Sequence, residues 1–356
     1  MNESMLLIGV GTSGCKLAHR IVRNFGDNIK AAYCDTDAVT GQDGGNFILL
    51  GGNQLSGRGA GGSIVEARMA VEESISVLDP SLEGVRLAVI VTCLGAGTGG
   101  GATLEIVKRL SLRGIPSIVF ATTPFKFEGE NRQRNTRGIM QMIQDGANAS
   151  FFCPLDDLAA ASDNLAESFA AAEAKLASGI TFFWRLVEKP GYLRLDAERL
   201  RHVLAQAGRG RFACVETKGE MRAWEAVNSL KESETLNGEA IPKTRAILVG
   251  ILAGDDLRLA EIGTITEGIR EKFGEGAQFE LATVNDEATY GGKLSVVTML
   301  FEAGKENAPG RAKKVASVLS QAPQGRGRFM NAEATLWNGE NMDEPTYLRK
   351  NISLDF

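Results

Sequence analysis

The chain has 356 residues, 44% of them hydrophobic and 23% charged, with a formal net charge of -5; that is enough apolar material for a sizeable core and for two domains plus extensions. The acidic balance argues against a nucleic-acid partner, which draws on clustered Lys and Arg. Five scattered cysteines and only two histidines, His19 and His202, argue against a disulfide framework, a zinc site and a histidine-based triad. With no leader pattern and no apolar run approaching the roughly 18 residues of a membrane span, the expected location is a reducing cytoplasm.

The first apolar run, Leu6 to Gly9, leads into GVGTSG at Gly9 to Gly14 and then into the helical spacing of Leu17, Ile21, Val22 and Phe25. A glycine loop between strand and helix lets backbone amides approach an anion, and the first amides of the helix have no partners of their own. GxGxxG also allows a dinucleotide fold with an acidic residue on the second strand, for which Asp35 and Asp37 in CDTDA are placed. It is not a Walker A loop, because Cys15 stands where that motif needs lysine. Further strands are expected at Ala31 to Cys34, Phe47 to Leu50, Leu87 to Val91, Ser117 to Ala121 and Ser150 to Cys153, alternating with helical patterns. This alternation predicts an α/β domain built on a parallel sheet covered on both faces.

Between these strands lie GRGAGG (Gly57 to Gly62), a second strand-to-helix glycine loop, LGAGTGGGAT (Leu94 to Thr103), and TTPFKFEGENR (Thr122 to Arg132). Ligands on parallel sheets sit at the carboxyl ends of the strands, so one pocket is expected to collect these segments. From Ser162 to Lys189, Leu165, Phe169, Ala172, Leu176, Ile180, Phe183 and Val187 recur every three or four residues: a long helix capped by Ser162 or Asp163 and ended by Pro190 and Gly191. Helices are expected at Arg194 to Leu204, Met221 to Leu230 and Leu259 to Phe273. Strands are expected at Phe212 to Glu216, Arg245 to Leu252, Phe279 to Thr283 and Lys293 to Phe301, which makes a second, mixed α+β unit. Gly304 to Glu340 has the composition of a linker, and a short, more apolar segment, Met342 to Lys350, follows.

In that order, the two glycine loops, the long helix and the second unit resemble the tubulin and FtsZ family of polymerising GTPases, nearly end to end. GAGTGGG looks like the family signature with Ala96 as a departure; VGTSG resembles the first phosphate loop, CDTDA the FtsZ segment NTDA, and GRGAGG the loop near the terminal phosphate. PFKFEG with Arg132 looks like the FtsZ segment PFxFEG, LAGDDLRLAEI its second-domain pattern, and MDEPTYLRK its C-terminal peptide, an ending that tubulin lacks. The resemblance implies a nucleotide-binding domain at 1–160, a central helix at 161–190, a second domain at 191–303, a linker at 304–340 and a partner-binding peptide at 341–356.

It further implies GTP or GDP as ligand, with Mg2+ or K+ as candidate cations. The implied contacts are Gly11, Thr12, Ser13, Gly14, Asp37, Gly61, Gly62, Gly95, Ala96, Gly97, Thr98, Gly99 and Gly100 at the phosphates and ribose, Glu128 and Arg132 at the sugar, and Phe169 and Glu173 at the base. Glu173 would accept from guanine N1 and N2, since the Asn-Asp pair of FtsZ is replaced here by Glu173 and Ala174.

The family completes its active site between head-to-tail subunits, with an NxDxxD loop pressing on the neighbour's nucleotide. The matching segment YLRLDAERL keeps Asp196, while Arg194 and Arg199 replace Asn and the second Asp; Glu198 lies one residue away, about a hundred degrees round a helix. Asp196, Glu198 and Arg199 are therefore the catalytic candidates, and hydrolysis is expected to be slow. A division protein would be docked through Pro345, Tyr347, Leu348 and Arg349, with any membrane contact indirect. The alternative is a non-hydrolysing relative that forms passive filaments or modulates a true FtsZ.

Overall fold

The computed structural model describes residues 5–26, 29–158, 164–189, 191–206, 208–237, 244–274 and 276–302, together with 336–337 and 340–341. The linker and C-terminal segments expected at 304–340 and 341–356 lie outside these apart from those two pairs. Leu336–Trp337 and Glu340–Asn341 form a small antiparallel ladder in a separate unit.

Six parallel strands occur where the apolar runs predict them: β1 (Met5–Val10), β2 (Ala31–Asp35), β3 (Phe47–Leu49), β4 (Leu87–Cys93), β5 (Ser117–Thr123) and β6 (Ala149–Pro154). Four more follow: β7 (Arg209–Lys218), β8 (Thr244–Ala253), β9 (Gln278–Asn285) and β10 (Lys293–Glu302). All ten join one sheet in the order β3-β2-β1-β4-β5-β6-β7-β10-β8-β9, with β10 antiparallel to both β7 and β8. The two halves meet where Ser150 pairs with Arg209 and Phe151 with Gly210. A Cβ on Gly210 would stand 2.4 Å from the Phe151 ring, so glycine is what leaves room for that ring at the junction.

The helices in chain order are α1 (Gly11–Phe25), α2 (Gly52–Leu55), α3 (Ile64–Ser74), α4 (Gly97–Leu112), α5 (Glu130–Gly146) and α6 (Leu155–Leu158). After them come α7 (Leu165–Glu188), α8 (Ala197–Gln206), α9 (Arg222–Glu232), α10 (Glu234–Asn237), α11 (Leu259–Phe273) and α12 (Glu287–Tyr290). The strands are apolar on both faces because both are covered. On β1, Leu7 enters the core that contains α1 and α7, while Leu6, Ile8 and Val10 enter the core beneath α4 and α5. On β8, Leu248 and Leu252 share the α7 core, and Ile247, Val249 and Ile251 pack with α9 and α11. Helix α7 thus supplies Leu176, Ile180 and Phe183 to one core made by both halves.

Two expectations are corrected at helix starts. The cap of α7 is Asn164, whose Oδ1 accepts from Ala166 and Glu167 N–H, in place of Ser162 or Asp163. Helix α8 begins at Ala197 instead of Arg194, because Gly191 N–H donates to the Thr283 carbonyl and Leu193 N–H to Thr283 Oγ1, which holds the preceding segment along β9.

Candidate functional site

Helix α1 starts directly at the end of β1 and α4 with three residues between it and the end of β4, and neither has a side chain capping its first turn. In contrast, Ser63 caps α3 and Asp286 caps α12. Two uncapped helix starts on adjacent strands, β1 and β4, offer unpartnered amides and the positive dipole ends to one volume. The glycines let the loops interlock. A Cβ on Gly11, where φ is +74°, would come 3.3 Å from Gly99 N; one on Gly14 would come 2.7 Å from the Val91 carbonyl; one on Gly99 would come 2.1 Å from the Cys93 carbonyl. Thr92 Oγ1 and Thr103 Oγ1 both donate to the Gly99 carbonyl, at 3.0 and 2.6 Å, and fix the α4 turn.

The third glycine segment reaches the same place. A Cβ on Gly97 would meet Ser63 O at 2.7 Å and Gly62 C at 3.0 Å, so the 57–62 loop leans on the start of α4. Gly61 and Gly62 have positive φ with open space around them. Asp37 bridges to Arg58 through the backbone, and its carboxylate accepts from Val39 N–H at 2.9 Å, capping the short helical turn at 38–43.

Sequence reasoning missed what ties these loops together. Asp35, 1% exposed, accepts from Thr12 Oγ1 at 2.9 Å, Thr40 Oγ1 at 2.7 Å and Thr36 N–H at 2.7 Å. Thr36 in turn shares a 2.6 Å hydrogen bond with Thr98. The run of hydroxyl residues after a buried strand, DTDAVT, was the available signal. With its carboxylate filled by protein donors, Asp35 is not free for a ribose hydroxyl, which counts against the dinucleotide reading.

Beyond the second glycine loop, at the start of α5, Glu128 Oε2 accepts from Arg132 at 2.5 Å and Oε1 from Phe125 N–H at 2.9 Å. Gly95, with φ +104°, lies against this helix: its added Cβ would be 3.2 Å from Pro124 and 3.3 Å from Arg132 Cβ, and Asn135 Nδ2 donates to its carbonyl. Phe169 meets Phe125 edge-on at 4.8 Å, and Glu173 is half-buried one turn further along α7. Burial pushes the Cys93 thiol up to about 11, with Glu173 and Glu128 raising it and Ser13 and Thr122 hydrogen bonds opposing. Cys93 therefore stays a neutral thiol. His19 stacks on Tyr33 at 3.8 Å and is kept below its ordinary range by burial, a packing role.

Asp196 and Arg199 lie elsewhere. Asp196 Oδ1 accepts from Arg199 N–H at 2.8 Å and so caps α8; Arg199 Nε pairs with Glu280 on β9 at 3.4 Å. The side chain of Glu198 lies outside the described residues. From β4 to β9 the sheet order counts six strand spacings, about 29 Å at ~4.8 Å each. Helix α7 gives a span of comparable size: its first turns lie beside Phe125 and its 24 residues extend about 36 Å at ~1.5 Å per residue. Within one chain the acidic candidate and the glycine loops are at opposite ends of that helix.

Residues 4–163 match the family model described as Tubulin/FtsZ family, GTPase domain. A curated relative, the cell division protein FtsZ of Rhizobium radiobacter, is 28% identical over 296 residues, which is 82% of this chain and 51% of the relative; the chain thus spans about half the length of that protein. Among solved structures, FtsZ from M. jannaschii superposes with a TM-score of 0.78 at 21% identity, covering 84% of this chain and 91% of that one. CetZ2 from Haloferax volcanii, a GTPγS-bound protofilament, superposes with a TM-score of 0.71 at 20% identity, covering 89% and 98%.

Proposed function

This chain belongs to the tubulin/FtsZ family, and from that premise we propose that it is an FtsZ-like GTP-binding protein of the cytoplasm that polymerises head to tail and scaffolds cell division. The observation that carries the reading is the separation just described. One end of α7 has the interlocked glycine loops and the other has Asp196, about 29 Å away across six strand spacings, so only a second copy brings them together. The CetZ2 neighbour is a GTPγS-bound protofilament, which supports this arrangement.

In the proposed site, amides of residues 11–14 and 97–100 with the Thr12, Ser13 and Thr98 hydroxyls hold the phosphates, the 57–62 loop covers the terminal one, Glu128 and Arg132 meet the sugar, and Phe169 and Glu173 meet guanine. Among the described residues no group of three or more His, Cys, Asp or Glu is placed to hold a metal ion. Mg2+ or K+ would accordingly be held mostly by the phosphates and water. Asp196 of the neighbour orients the attacking water. Division proteins would dock on Pro345, Tyr347, Leu348 and Arg349.

The test is GTPase rate against protein concentration. An intersubunit site gives a threshold; a rate linear from zero would overturn the reading. A second reading, a filament former or FtsZ modulator without turnover, is favoured by one observation: Asp196 is engaged as the cap of α8 and Arg199 occupies the place of the second acid. Nucleotide in the purified protein separates the two, since turnover leaves GDP and a non-hydrolysing binder retains GTP.

A further inference from the structure

We propose that Arg199 is a charge contact made in trans to the terminal phosphate of the neighbour's nucleotide, and that Glu280 holds it in the free subunit. This rests on the head-to-tail reading above and deepens it by naming what makes assembly sense the nucleotide state. The two glycine loops, Gly9 to Gly14 and Leu94 to Gly101, contain no Lys or Arg. These two loops offer phosphate only neutral amides and hydroxyls; nearby Arg132 is paired with Glu128, and the 57–62 loop adds a single cation, the exposed Arg58.

The segment that would meet the neighbour is built with the opposite charge preference. Arg194 and Arg199 are both exposed, and the Arg199 backbone is fixed by its N–H bond to Asp196. Its side chain is 51% exposed; the guanidinium donates to the Arg194 carbonyl at 3.2 Å and lies 3.4 Å from Glu280. A single long contact from an arginine this open to solvent is weak, so a phosphate arriving from a second subunit can replace the carboxylate. Arginine suits the exchange, because its planar fork matches phosphate as well as carboxylate. The contact strengthens binding of the GTP-bound neighbour before reaction, which raises assembly without itself aligning water.

The experiment compares the full chain with Arg199→Ala, Arg199→Lys and Glu280→Gln. It reads the critical concentration for pelleting with a thiophosphate analogue of GTP and with GDP, alongside analogue affinity below that concentration. Arg199→Ala should raise the critical concentration with the analogue by about tenfold, the size of one charge-assisted contact, and leave it unchanged with GDP. Affinity of the unassembled chain should not move, because the residue is remote from its own loops. Arg199→Lys should fall between, and Glu280→Gln should lower the critical concentration with the analogue. Equal critical concentrations for Arg199→Ala and the unaltered chain, or equal shifts with both nucleotides, would overturn the proposal while leaving the head-to-tail reading intact. Failure of the unaltered chain to assemble with the analogue would overturn both.

Discussion

The hydroxyls of Thr36 and Thr98 lie 2.6 Å apart, joining the residue that follows β2 to the second residue of α4 across 62 positions of sequence. Through Thr36 N–H and Asp35 the link continues to Thr12 at the start of α1. The two glycine loops are therefore linked through one buried carboxylate, the first directly by Thr12 and the second by way of Thr36, which sets their spacing.

Asp35→Asn is the first test of that arrangement. The amide keeps one acceptor oxygen and loses the other, so at least one of the bonds from Thr12, Thr40 and Thr36 goes unmade. A buried bond to a charged group is worth about 2 kcal/mol, and a loss of that order should appear in denaturant unfolding, together with weaker GTP binding. Thr36→Val, which removes one neutral bond of this kind, should cost about 1 kcal/mol. Unaltered nucleotide affinity in Asp35→Asn would show that the loops do not depend on it.

Glycine geometry separates Gly99 from Gly138. A Cβ on Gly99 would sit 2.1 Å from the Cys93 carbonyl, where only a backbone shift can relieve it, whereas Gly138, on the exposed side of α5, has nothing within 4 Å. Gly99→Ala should cost about 3 kcal/mol by overpacking and abolish GTP binding. Gly138→Ala should leave binding untouched and add up to about 1 kcal/mol through helix propensity. Thermal unfolding and nucleotide titration of both variants check this, and normal binding by Gly99→Ala would contradict the interlocked loops.

A pH effect follows from Asp79, which receives Arg109 Nε at 2.8 Å and Arg113 at 2.7 Å and ties the C-terminal end of α4 to residues 75–82. The Arg109 hydrogen bond, opposed by some desolvation and helped by the two guanidinium charges, holds the Asp79 carboxyl below its ordinary range. A depressed folded-state value contributes stability above the unfolded value near 3.9 and loses it as pH falls through the folded one. Asp79→Asn should therefore be less stable than the unaltered chain at pH 7, with the gap closing as pH drops below about 4. A gap that widened on acidification would reverse the sign and refute the ion-pair account.

What the sequence made legible was local. Apolar runs that lead into glycine loops, Leu6 to Gly9 and Leu87 to Val91, announced themselves by composition, and α11 runs over Leu259–Phe273, the span its periodicity predicts. The starts of α7 and α8 were misplaced because several polar residues compete for a cap and the winner depends on distant contacts; Thr283 on β9 decides the second case. The Thr36–Thr98 bond and the Arg199–Glu280 pair join residues far apart in the chain, and no spacing rule reports them.

Arg199→Asp tests the alignment on which the catalytic assignment stands. Restoring an acid at this position gives the neighbour's nucleotide a second carboxylate beside Asp196, and a positioned carboxylate that orients water contributes a hundredfold or more where geometry is good. Because α8 starts at Ala197, position 199 lies in its first turn, near enough to Asp196 for its N–H to be capped by that residue. Turnover per assembled subunit should rise by roughly tenfold, short of the full effect since the surrounding loop is built around arginine. The critical concentration should rise at the same time, because the phosphate contact is lost and replaced by repulsion. Phosphate release and pelleting measured on the same samples separate the two effects. A turnover per assembled subunit that stays level or falls would show that position 199 does not face the reacting water.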